Sequence, residues 1–257
     1  MKNKAVLLAA PALGLGIVML GATPAMAADH AGSYSAMLGE LNNSGASGEV
    51  WIDLEGTTAT VTLNASGLAA EFDGNPYPHV QHIHIDAQGL CPSDSADENG
   101  DGIISTTEGA PSYGAIGTTL SVGDADKSPA GGLDLAAAPA GATIAYEETF
   151  ELDQATLDAL DAGTAVVVVH GLDPATQPES GTSPSDLVPE LPLAATSPAL
   201  CGALEAAPAG GVDTDVATVA DAGANGSPLG VVAMGGTLAV LLAAGAYIVG
   251  RRVIRDN

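Results

Sequence analysis

Residues 58–63 set Thr60 and Thr62 against Val61 and Leu63, a two-residue alternation that predicts a strand with one face buried. Similar short patterns at 34–38 and 48–54, separated by turn residues at 42–45 and 55–56, predict hairpins. Further strands are expected at 81–86, 143–152 and 165–170. The period changes once. Asp153 is a helix N-cap candidate, Leu157 and Leu160 share a face, and Gly163 stops the run, so one short helix feeds the strand at 165–170. Aromatic residues are only 3% of the chain, which leaves an aliphatic core. The expected fold is all-β, an antiparallel β-sandwich or barrel over residues 28–204 with one short helix.

The two ends carry a different pattern. Lys2 and Lys4 precede an apolar run at 5–20, and small residues lead to Ala27, as in a secretory signal peptide covering 1–27. Residues 229–250 are uncharged over the length of a single transmembrane helix, and Arg251, Arg252 and Arg255 follow at once. Residues 28–228 are therefore expected outside the cell membrane, with a cytoplasmic tail at 251–257. Between them, 205–228 is dominated by Ala, Gly, Pro and Asp and is expected to be a flexible acidic stalk.

Charge narrows the partners. The chain has 6 basic and 31 acidic residues, a formal net charge of −25. Lys127 is the sole cation of 28–228, where thirty acids leave a formal −29. Such a surface repels nucleic acid and small anions and attracts metal ions, although acidity of this order also serves solubility alone. No protein partner is named by the pattern.

The chemistry-bearing residues lie close together. On a strand, His82 and His84 project from one face while Ile83 and Ile85 point the other way into the core, so two imidazoles converge on one outer position. His170, ending the Val-rich strand, is a candidate third ligand for Cu or Zn. His79 has the other parity and follows Pro78, so it joins only if the chain bulges. An H-x-H pair is also compatible with two structural or exposed histidines. Just downstream, Asp97, Asn99, Asp101, Ile103 through its carbonyl, Ser105 and Glu108 occupy the ligand positions of an EF-hand-type loop at 97–108, with Gly102 at its sharp turn. No second such loop exists in the sequence, and Pro92 and Pro111 leave little room for long flanking helices. A static Ca2+ clip is expected rather than a sensor. Cys91 and Cys201, an even pair in an exported segment, are expected to form a disulfide, against the alternative of two buried thiols.

Together these residues resemble a known group. The stretch 34–68 followed by His79, His82 and His84, and the later run ending at His170-Gly171, are similar to CHRD (chordin-type) domains and the related copper/zinc superoxide dismutase fold, over residues 33–204. The resemblance implies a Greek-key topology for the β-sandwich or barrel, His82, His84 and His170 as copper ligands and a bond between Cys91 and Cys201. Two departures stand against catalysis. The interval between Cys91 and His170 lacks the zinc-binding histidines of the dismutases, and Pro198 stands where the family carries a substrate-guiding arginine. The expected function is a membrane-anchored extracellular metal-binding module, calcium-clipped and non-catalytic. The alternatives are a copper-dependent superoxide dismutase and a calcium-dependent surface adhesion protein.

Overall fold

The computed structural model describes residues 30–72 and 74–207. The signal segment 1–27, most of the stalk, the apolar segment 229–250 and the tail lie outside the described residues. Among the described residues, no helix is long and apolar enough to cross a membrane.

Eleven strands occur in this region. They are β1 (Ala31–Glu40), β2 (Ser47–Glu55), β3 (Thr58–Ser66), β4 (Glu71–Phe72), β5 (Asn75–Pro76), β6 (Gln81–Ile85), β7 (Ala115–Thr119), β8 (Thr143–Glu151), β9 (Val166–His170), β10 (Pro198–Ala203) and β11 (Glu205–Ala206). All but β4 and β5, which pair with each other, join one antiparallel sheet in the order β7-β6-β9-β10-β1-β2-β3-β8, with β11 also on β1. β11 extends pairing two residues into the segment expected as stalk.

Alternation decides which side chains enter the core. Val50, Ile52 and Leu54 of β2 and Ala59, Val61, Leu63 and Ala65 of β3 are buried, while Trp51 between them is exposed. These residues share one hydrophobic cluster with Ile144 and Tyr146 of β8 and with Ile83, Ile85, Val167, Val169 and Leu200 of β6, β9 and β10. Residues from opposite ends of the strand order meet in that cluster, so the sheet curls over on itself around an aliphatic core.

Three α-helices are present among the described residues, against one expected. α2 (Gln154–Ala162) is the expected helix: Asp153 accepts from the backbone N–H of Thr156, and Gly163 ends it in the left-handed conformation. α1 (Thr106–Tyr113) begins with a capping box, in which Ser105 accepts from the Glu108 N–H and the Glu108 carboxylate accepts from the Ser105 N–H. Pro111 lies inside it and removes one donor, but the buried Tyr113 holds the helix to the sheet. α3 (Leu193–Thr196) is a single turn. The chain around both has no sustained apolar period, which is why neither helix was expected.

Candidate metal centre

The neighbouring strands β6 and β9 are buried on both faces. Their antiparallel register sets His82 opposite Val168 and His84 opposite Val166. Directly opposed residues share a face, so His170, two residues beyond Val168, joins His82 and His84. The same face carries Cys201, which is paired with Val168 across β10. Tyr113 of α1 packs with Val166, Val168 and Cys201 in a second apolar cluster. The histidine face is therefore covered, and His82 and His84 are each only 2% exposed. The outer position expected for them is an interior one, because α1 and the segments at 129–135 and 187–196, the latter including α3, close over the sheet.

Each of the three imidazoles is oriented by one backbone carbonyl. His82 Nε2–H donates to Gly132 O at 2.9 Å, His84 Nδ1–H to Gly114 O at 2.9 Å, and His170 Nδ1–H to Thr196 O at 2.8 Å. A carbonyl can only accept, so each of those nitrogens carries the proton and the tautomers are fixed. The lone pairs then reside on His82 Nδ1, His84 Nε2 and His170 Nε2. Those three atoms are buried and have no hydrogen-bond partner. Among the described residues, these three histidines form the one group of three or more His, Cys, Asp or Glu whose ligand atoms all lie within 4.8 Å of one another. Three buried acceptors without partners are costly for a protein core, and a shared cation satisfies all of them at once. The donor set fits copper or zinc. The carbonyls that fix the rings are the outer contacts such a site requires.

Electrostatics point the same way. Burial pushes the His170 imidazole down to about 3, helped by the neighbouring His84. Burial likewise takes His84 down to about 4, and His82 falls well below its ordinary value through burial and then the charges of His170 and His84. All three rings are neutral at pH 7, the state that binds a metal.

A pH dependence of stability follows. In the unfolded chain the histidines titrate at about 6.5. Between that value and about 4 the unfolded chain binds more protons than the folded one, so the stability of the metal-free protein is full above this window and falls as pH drops through it. The slope approaches about 1.4 kcal/mol per pH unit for each histidine. Protonating the many acids also relieves their mutual repulsion, so the comparison is with the variant H82N/H84Q, in which that effect is the same. Urea midpoints are expected to fall more steeply with acidification in the wild type; equal slopes would refute the shifts.

His79 does not join the group. Its Nδ1 lies 2.9 Å from His170 O and its Nε2 lies 2.9 Å from Ala69 O, while its ring stacks on Tyr77. Burial lowers its pKa, and the two carbonyls oppose that shift. It ties the end of β9 to the segment after β3 and touches none of the three ligand rings' nitrogens.

The residues of the 97–108 loop are brought together in a compact turn. Asp97 accepts from the N–H groups of Gly100, Asp101 and Gly102; Asn99 accepts from Asp101, and Asp101 from Ile103. Glu108 accepts from the N–H groups of Asn99 and Ser105, and Ser105 Oγ donates to Asp186. The loop side chains thus turn onto the loop's own backbone. Asn42 fastens the loop to the sheet through Ile104 N, Ile104 O and Pro198 O. Cys91 and Cys201 form a disulfide, which attaches β10 to the chain just before the loop.

The orienting carbonyls were missed in the sequence, because a backbone acceptor leaves no residue signature. Two of them carry an indirect one. A Cβ on Gly114, whose φ is +96°, would lie 1.8 Å from Ile85 O, and a Cβ on Gly132 would lie 2.6 Å from Ile116 Cδ1. At 114 the clash is with backbone and only glycine fits, whereas at 132 the end of the Ile116 side chain would have to move aside.

No protein-family model and no curated protein matches the chain. Among solved structures, the chain is similar to Candida albicans superoxide dismutase 5 in a copper(II) form, at 12% identity over 72% of this chain and 97% of that one, with a TM-score of 0.40. Two single-residue mutants of the same enzyme give 12% and 14% identity, cover 71% and 68% of this chain and 96% and 89% of theirs, and have TM-scores of 0.37 and 0.36.

Proposed function

We propose that this chain is an exported, membrane-anchored metal-binding module whose centre is His82 Nδ1, His84 Nε2 and His170 Nε2, holding one copper or zinc ion outside the cell. The observation that carries this reading is that each of three histidines has a buried, partnerless ring nitrogen and that the three offer ligand atoms within 4.8 Å of one another. Bound there, the ion supplies Lewis acidity, and as copper a redox couple. The chain's own part is to keep three neutral imidazoles in place. Full-length protein dialysed against zinc or copper is expected to retain one ion per chain by elemental analysis, and H84A none. Equal retention by the two proteins would remove the site.

The module is read as non-catalytic toward superoxide. Lys127, the sole cation of 28–228, donates to Ser121 O and Gly123 O and lies 5.0 Å from the Phe150 ring centroid, so it is engaged away from the histidines. The formal −29 of residues 28–228 opposes an anion approaching from solution, and Lys127 is not placed to offset it at the centre. Copper-loaded protein should consume superoxide no faster than the same copper free in solution.

Calcium completes the reading as a structural clip in the 97–108 loop, supported by the ligand pattern of Asp97, Asn99, Asp101, Ile103, Ser105 and Glu108. For a site of about 10⁻⁴ to 10⁻³ M, calcium at about 10 mM adds roughly 1.4 to 2.7 kcal/mol of stability. The melting temperature should rise by roughly 3 to 10 °C. The D97N/E108Q variant keeps the hydrogen-bonding shapes and should lose the rise. A wild-type melt indifferent to calcium would dispose of the clip.

A further inference from the structure

Over the three histidines lies a cavity of about 420 Å³ whose floor includes all three rings. Its walls come from three separate parts of the chain: α1, the loop carrying Leu133 and Leu135, and the loop carrying Leu187 and Leu191. No charged side chain lines it, and its only polar side chains are the histidines and three threonines. Two of those threonines are already used: Thr106 donates to Thr196 O, and Thr196 Oγ1 bonds Ser185 and donates to Leu193 O. Of the eight large apolar side chains exposed among the described residues, Leu133, Leu135 and Leu187 are at this cavity, at 51%, 40% and 47% exposure. Nothing in the core accounts for that concentration.

We infer that this chamber binds an uncharged, apolar small molecule, aromatic or aliphatic, that turns one donor atom toward His82, His84 and His170. The volume is that of an ordinary small-molecule site, and convergent polar atoms at one end of an apolar cavity fix a ligand's orientation. Charge selects further. A cation would lose its hydration in a cavity that returns no carboxylate, and an anion meets both that loss and the repulsion of the surrounding acids. A neutral apolar body pays neither cost and shields the leucines from water. The donor-atom half of the inference rests on the metal reading above; the apolar half does not.

Calorimetry on the zinc-loaded full chain with imidazole, 4-phenylimidazole and 4-phenylbenzoate separates these contributions. Imidazole and 4-phenylimidazole share a donor and differ by one ring, whose burial is worth about 10- to 100-fold in affinity. We expect 4-phenylimidazole to bind at least about tenfold tighter than either other compound. The variant L133N/L187N, altered at two half-exposed positions, should lose that advantage while its zinc content is unchanged. Equal affinity for imidazole and 4-phenylimidazole, or an advantage that survives in the leucine variant, overturns the chamber. A chain that takes up no zinc yet still prefers 4-phenylimidazole in a leucine-dependent way sustains the chamber and removes the metal reading.

Discussion

Converting His170 to alanine is expected to lower copper or zinc affinity by about 100-fold or more, while His79→Gln leaves it close to the wild-type value. Loss of an outer hydrogen-bond partner already costs roughly 10- to 100-fold at metal sites, and removal of a direct ligand exceeds that. The two histidines make a controlled pair, because both are buried and the His79 ring lies against the backbone carbonyl of His170. They differ in what their nitrogens face. His170 presents an unpartnered Nε2 to His82 and His84, whereas both nitrogens of His79 lie against carbonyl oxygens. Competition titration against a chromophoric chelator, with circular dichroism to confirm folding, reads the difference. Equal losses in the two variants would mean that general disruption, not ligation, is being measured.

The second large effect is expected at the disulfide. Cys91 and Cys201 are 110 residues apart, and releasing a loop of that size costs about 4 to 5 kcal/mol in the chain-entropy account. For a domain of this size that is a fall of roughly 10 to 20 °C in melting temperature. The cost is local as well as global. Cys201 packs on the histidine face beside Val166, Val168 and Tyr113, so the C91S/C201S variant also loosens the floor under α1. α1 ends at Gly114, whose carbonyl orients His84. We therefore expect the serine variant to lose both stability and metal affinity. A melting temperature within a few degrees of the wild type would show that the unfolded chain is already compact.

Part of this site was legible from residue order alone. Strand parity placed His82 and His84 together and sent Ile83 and Ile85 into the core, since a period of two leaves no other choice once one face is buried. The helix before β9 was equally plain, because Asp153, Leu157, Leu160 and Gly163 each act through local chemistry. His170 was a candidate third ligand from its place at the end of the Val-rich strand, and the resemblance implied the same, but its position beside the pair is set by the register between β6 and β9, a long-range property that local pattern does not carry. β7 and β10 went unseen because neither carries a clear polar alternation: Ala115–Thr119 is small and mixed, and every residue but the last of Pro198–Ala203 is buried. The roof was the least readable part. Its segments are rich in Gly, Ala and Pro, and they cover the histidines through backbone carbonyls and scattered leucines, so the expected outer site became an enclosed one.

X-ray absorption at the metal edge of the zinc- or copper-loaded full chain tests the central claim most directly. Three imidazole nitrogens at about 2.0 to 2.1 Å, lost together in the H82A/H84A variant, are the predicted result. A first shell holding no more than one imidazole, or one unchanged by those substitutions, would contradict it.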